Sequence, residues 1–220
     1  MKFKWERLLQ NKYNHLLWTE IFILIAYPVL ESAEGSFPII PLLLLIAITP
    51  ALWVGLPKKI FIPVITLGVV ALGLNTYAYF IFEELADDMA RVLLILYAVF
   101  YFLAISILIK KISSNTIVTS DTIKGGICIY FLLGLFWAVL YLLILTFNEH
   151  ALSNVHKEAI GFDCYYYSFT TLTTLGYGDI APVAKYAKIL AVMEAIVGPV
   201  YLAIFVAQLI GLNIAQKLKD

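Results

Sequence analysis

Six apolar runs, each near the length a helix needs to cross a bilayer, constrain this chain more than any other feature. They occupy residues 16–33, 37–54, 60–82, 92–109, 125–147 and 186–212. A hydrocarbon layer of ~30 Å takes about 20 helical residues to span. Lipid offers backbone N–H and C=O groups no water, so each run is expected to satisfy them internally as a helix. The composition fits that medium: 62% hydrophobic, 14% charged, mean hydropathy +0.92. Soluble domains sit near ~45–50% apolar and ~25% charged. Prolines 38, 41 and 50 interrupt the second run, so a kink is expected there.

Between the fifth and sixth runs the chain first turns polar, over residues 148–161, then apolar and aromatic from Phe162 for about three helical turns. That stretch is too short to cross. Asp163 stands where an N-cap is expected. The carbonyl end of such a helix would point toward the membrane centre. Then comes Thr173-Thr174-Leu175-Gly176-Tyr177-Gly178-Asp179, polar at its start and carrying two glycines. Glycines alternating with bulky residues let the backbone take dihedrals that L-residues avoid, so successive carbonyls can face one way. Irregular backbone at membrane depth is tolerated only where protein buries it or it lines water. A short helix, a polar thread and a return make a re-entrant loop.

Charge gives the orientation. With the N-terminus inside, the inner segments collect Lys2, Lys4, Arg7, Lys12, Lys58, Lys59, Lys110, Lys111, Lys124, Lys217 and Lys219. The outer segments keep Arg91, Lys157, Lys185 and Lys188. This asymmetry places both termini in the cytoplasm; the lack of a sorting signal is compatible with a multi-pass chain in the plasma membrane. The N-terminus lacks the apolar core and cleavage site of a signal peptide and is read as retained. Net charge is zero, which argues against a nucleic-acid partner.

The heptapeptide resembles the selectivity filter of the potassium-channel superfamily, whose signature is TVGYG; Leu175 replaces the usual valine and is expected to pack against the pore helix. The resemblance covers about residues 125–216. It implies an all-α membrane protein with six transmembrane helices, a re-entrant pore helix and selectivity filter between helices five and six, and a tetrameric assembly, because one filter cannot encircle an ion. It divides the chain into a four-helix domain (1–110), a cytoplasmic linker (111–124) and a pore domain (125–220). It assigns K+ sites to Thr174, Leu175, Gly176 and Tyr177, with Gly178 completing the filter. Asp179 becomes the acid anchoring the filter from behind, with Tyr166 and Tyr167 bracing it. Thr170 departs from the glutamate some prokaryotic members carry. Pro182 fits the proline before the inner helix. Gly198, with Pro199 beside it, falls where the family often places a hinge. Implied partners are three further copies of the chain and membrane lipids, with K+ as permeant ion and no cofactor.

The first four runs match a voltage sensor only in number. A sensor needs cations at every third position of its fourth helix, and residues 92–109 contain none. No charge-based voltage sensing is expected. The chain ends at Asp220, just past the sixth run, so gating is expected in the filter, in the inner helices or with an unseen regulatory partner.

Other residues carry two readings each. Glu194, inside the sixth run, either hydrogen-bonds a pore-helix group or tunes conduction near the cavity. Glu20 is expected to snorkel or pair, and Asn75 to bond between helices. Val206 and Ile210, one turn apart, are gate candidates or ordinary packing. His150 and His156 are solvated loop residues or pH sensors. Cys128 and Cys164 make neither a disulfide framework nor a metal cluster. The leading function is selective, passive K+ conduction. The rivals are a poorly selective cation channel and a non-conducting regulatory subunit. An intramembrane enzyme is disfavoured, since no His, Asp or Cys lies at the centres of the first four runs.

Overall fold

The structure, a computed structural model, describes residues 12–32, 39–53, 58–81, 87–114 and 118–217. It is helical throughout: α1 Lys12–Ser32, α2 Ile39–Trp53, α3 Lys58–Ile81, α4 Asp87–Ser113, α5 Ser120–Leu145, α6 Ile160–Leu172 and α7 Lys185–Lys217, with a short 3-10 turn Lys157–Ala159 ahead of α6. Among the described residues β structure is limited to an isolated antiparallel bridge, Leu152 to Pro182. Among the described residues four helices are long and apolar enough to cross a membrane, through Lys58–Tyr77, Asp88–Ser113, Ser120–Leu145 and Lys185–Leu212. Helix α1 has 21 residues and α2 has 15. At 1.5 Å per residue α2 extends ~22 Å, short of the ~30 Å layer. The basic N-terminal start falls outside the described residues.

Helix α5 is the hub, packing against α1, α4, α6 and α7. Its sequence explains its start. Thr119 closes a capping box, its hydroxyl accepting from the Thr122 amide at 3.1 Å while its own amide reaches Thr122 Oγ1 at 3.4 Å. With α4 running to Ser113, these caps confine the linker expected over 111–124 to the few residues between the two helices. The same corner holds α1. The Tyr13 amide donates to Asp121 Oδ1 at 3.4 Å, and Lys124 Nζ to Asn14 Oδ1 at 3.0 Å. Helix α4 lays Leu93, Phe100, Ala104, Leu108 and Ile112 along one buried stripe at helical spacing.

Asn75 Nδ2 donates to the Tyr97 hydroxyl at 3.1 Å, joining α3 to α4 as the sequence suggested. Glu20 departs from expectation. It is 3% exposed, with the Cys128 thiol of α5 beside its carboxyl. Three of the neighbours that shape its electrostatics come from other helices, Tyr101, Cys128 and Tyr165. Its place on the inward face of α1 leaves it no path along which to snorkel.

Candidate functional site

Helix α6 begins at Ile160, two residues before the apolar stretch, because the 3-10 turn feeds straight into it. The N-cap is Ala159, so Asp163 is not the cap. Asp163 lies inside the first turn instead and reaches back to His156. The His156 amide donates to Asp163 Oδ2 at 2.7 Å, and the ring nitrogen Nδ1 lies 3.0 Å from the same oxygen. His150 is exposed beside Glu149, which pairs with Lys157 at 3.0 Å. The Lys157 ammonium holds the Glu149 carboxyl below the usual carboxylate range.

At the other end of α6 the chain turns into the thread expected to be the filter, and the backbone there is unusual. Thr174, Gly176 and Gly178 have φ of 60°, 53° and 81°, while Leu175 and Tyr177 between them keep negative φ. A β-branched residue at positive φ costs of order 1–2 kcal/mol, so Thr174 holds strain that neighbours must fix. They do. The Leu175 and Gly176 amides both donate to the Thr170 carbonyl, at 2.8 and 3.1 Å, and the Thr174 amide donates to Thr171 O at 2.9 Å. Thr170 therefore holds the thread through its carbonyl; its hydroxyl turns back on Tyr167 O at 3.0 Å. Alternating positive and negative φ lets successive carbonyls face one side, unlike the opposed carbonyls of a β-strand.

The far end of the thread is anchored too. The Tyr166 hydroxyl donates to Asp179 Oδ2 at 2.7 Å, and Asn154 Nδ2 to the Asp179 carbonyl at 2.6 Å. The Tyr166 bond, with help from backbone amides, holds the Asp179 carboxyl below its ordinary range. In the loop that leads out of α5 the Ser153 amide donates to Ala181 O at 2.8 Å, the Ala181 amide donates to Ser153 Oγ at 3.1 Å, and the Val183 amide reaches Ala151 O at 2.8 Å. Tyr167 is buried edge-on against Tyr141 of α5.

Behind the pore helix lies Glu194, fully buried. Ser168 Oγ sits 2.6 Å from Glu194 Oε1, and the Tyr141 hydroxyl donates to Oε2 at 2.7 Å. The sequence identified Glu194 and a pore-helix partner; it gave no sign of Tyr141, Ser168 or Asn154, whose residue types and spacing mark nothing. Helix α7 runs unbroken through Gly198 and Pro199. A Cβ at Gly198 would land on the carbonyl oxygen of Leu172, so this glycine lets α7 press against the end of α6. Val206 and Ile210 are both exposed on the single chain. So are Leu175 and Tyr177, at 54% and 69%, which leaves Leu175 largely uncovered where packing against α6 was expected.

Known proteins agree with this geometry. The ion-channel family matches residues 127–214, from α5 through the loop into α7. The potassium channel protein kcv of Paramecium bursaria Chlorella virus 1 is 31% identical over 72 residues, covering 30% of this chain and 77% of the viral protein. The chain belongs to the ion-channel family. No solved structure matches it. The channel is thus a membrane protein, and both the family and the viral relative are ion channels, not enzymes. Within this channel the matched segment contains the whole strained thread and every group that braces it.

Proposed function

We propose that this channel conducts K+ selectively and passively, with Thr174, Leu175, Gly176 and Tyr177 supplying the carbonyl sites and Gly178 the outer turn. The observation that carries the reading is the alternation of left-handed φ at Thr174, Gly176 and Gly178. It favours a column of oxygens that replace the hydration shell, with repulsion between neighbouring ions keeping flux fast.

The active unit in this proposal is a homotetramer in the plasma membrane with cytoplasmic termini. Exposure supports it: 11% of the apolar window of α7 is buried within one chain, against 50% for α5. Three more copies would cover that face and the side chains of Leu175 and Tyr177. Helices α1 and α2 serve as the first two of six spans, with lipid around them. Voltage dependence of the charged-helix kind is absent from the proposal. Arg91 sits in the first turn of α4 and is tied to Asp88 at 2.8 Å and to Thr146 O at 2.8 Å, while Lys110 and Lys111 lie in its last turn. Gating falls to the filter, to α7 at Gly198, Pro199, Val206 and Ile210, or to a regulatory partner. No cofactor is needed.

The test is K+ against Na+ flux through purified protein in liposomes over a range of voltages. Selective K+ flux is expected, abolished by Gly176→Ala because a side chain at φ 53° is strained. Equal Na+ and K+ flux would sink the proposal.

A further inference from the structure

The proton count at Glu194 does not close if its carboxyl is ionised. Ser168 has one hydroxyl hydrogen, yet its oxygen lies within bonding distance of two acceptors, the Gly134 carbonyl at 2.7 Å and Glu194 Oε1 at 2.6 Å. The Tyr141 hydrogen is committed to Oε2 at 2.7 Å. With an ionised glutamate, two hydrogens must serve three short oxygen–oxygen contacts, and one contact is left as bare lone-pair repulsion. A hydrogen on Oε1 supplies the third: Oε1–H donates to Ser168 Oγ, and Ser168 O–H donates to Gly134 O.

The surroundings agree. Ser168 and Glu194 are both wholly buried. The titratable groups facing Glu194 are Tyr141 and Tyr130 from α5 and Tyr167 from α6. No cation pairs with it among the described residues. An ionised carboxylate in such a place costs several kcal/mol without a partner charge, so the neutral acid is the form this pocket accommodates.

We infer that Glu194 is a carboxylic acid whose own proton closes a relay from α7 through α6 to α5, and that this proton is a positioning element for the filter. Its loss places a charge behind α6 and leaves Ser168 with one hydrogen for two acceptors, so that α6 loses its bond to Gly134 of α5 or to Glu194 of α7. The filter hangs from the last turn of α6 through the Thr170 carbonyl, so alkaline release there stops conduction. The functional half rests on the conduction reading above; the protonation half does not.

The experiment uses the full chain in liposomes, wild type beside Glu194→Gln, read by infrared difference spectra, thermal unfolding and K+ flux across a neutral-to-alkaline titration. The glutamine amide can donate to Ser168 and accept from Tyr141, so it keeps the relay without a titratable proton. At neutral pH the difference spectrum should show a protonated carboxyl stretch present only in the wild type; a carboxylate signature there instead overturns the inference. Wild-type flux and thermal stability should fall on alkalinisation, flux by about tenfold per pH unit beyond the midpoint for each proton the tetramer must keep. Glu194→Gln should stay flat, and an equal alkaline loss in that variant overturns the positioning role. Should the glutamine variant fail to assemble, Ser168→Ala removes the proton's acceptor, and an unshifted carboxyl stretch overturns the relay. A wild type without flux at any pH defeats the conduction reading, while the spectrum and the stability profile still decide the inference.

Discussion

The pore region, residues 118–217, and the four helices before it are both built from apolar helices, yet they are held together by different means. In the pore region polar side chains reach across helices: Tyr130 to Leu172 O at 3.2 Å, Tyr201 to Gly126 O at 2.7 Å, Ser168 to Gly134 O, and Tyr141 to Glu194. Within α1–α4 the threonines turn back on their own helix, Thr19 to His15 O, Thr49 to Leu45 O and Thr76 to Leu72 O. Asn75 to Tyr97 is the crossing bond described there. In lipid the hydrophobic effect does not press helices together, so van der Waals packing sets distance and hydrogen bonds set register. The crossing bonds described here are concentrated in residues 118–217, where they add register to packing.

The sharpest way to break this contrast is to add one methyl group to each region. Gly198→Ala puts a Cβ on the Leu172 backbone oxygen, where no side chain can yield. It should cost about 1–3 kcal/mol by overpacking and abolish flux. Gly73→Ala in α3 meets nothing within 4 Å and should gain up to ~1 kcal/mol in helix propensity. Thermal unfolding and K+ flux on both variants check the pair, and an intact Gly198→Ala channel would break the contrast.

Removing one hydroxyl from each region is a gentler probe. Tyr141→Phe deprives the buried Glu194 Oε2 of its donor, a loss of about 1–3 kcal/mol for an unsatisfied buried acceptor. Tyr97→Phe takes away the Asn75 acceptor and should cost about 0.6 kcal/mol, the usual scale for a bond between membrane helices. Equal losses by thermal unfolding would show that register matters as much outside the pore as inside it.

The smallest effect concerns the outer anchor. Because the Tyr166 hydroxyl lowers the Asp179 carboxyl, its contribution is complete above the unfolded value of 3.8 and is lost as pH falls through the lower folded value. Acidifying the outer solution through that range should weaken the filter anchor modestly. Tyr166→Phe should remove most of the pH dependence. Flux measured with outer pH stepped from neutral to strongly acid reads both.

Much of this was legible in sequence because it follows from repetition or from a forbidden dihedral. Apolar runs of spanning length declare helices, and Gly-Tyr-Gly declares a thread that side chains would obstruct. Glu194 was legible because a carboxyl inside an apolar run needs a reason. Its partners were not: a serine and a tyrosine in membrane helices look like any others until the chain brings them together. Residues 118–124 read as a linker because they are polar, but their polarity is a cap, with Thr119 and Thr122 bonding each other's backbone. Gly198 was visible as a glycine but not as a contact, since the carbonyl it accommodates lies 26 positions earlier, at Leu172. Glu20 was misread because sequence gives depth along a helix but not which face turns inward.

The bridge between Leu152 and Pro182, with its flanking bonds from Ser153 to Ala181 and from Val183 to Ala151, has a consequence for how the channel can vary. The pore helix and filter leave the body of the protein and return to it at one point, as a closed cassette with its own clasp. Closing that loop is an entropic cost met locally, independent of how the surrounding spans are arranged. Residues added before the clasp, around Asn148 to His150, lengthen the loop without altering the cassette inside. Residues added between 153 and 181 lengthen the cassette itself, and the strained thread moves with it. Change in length is therefore free on one side of a single residue pair and forbidden on the other.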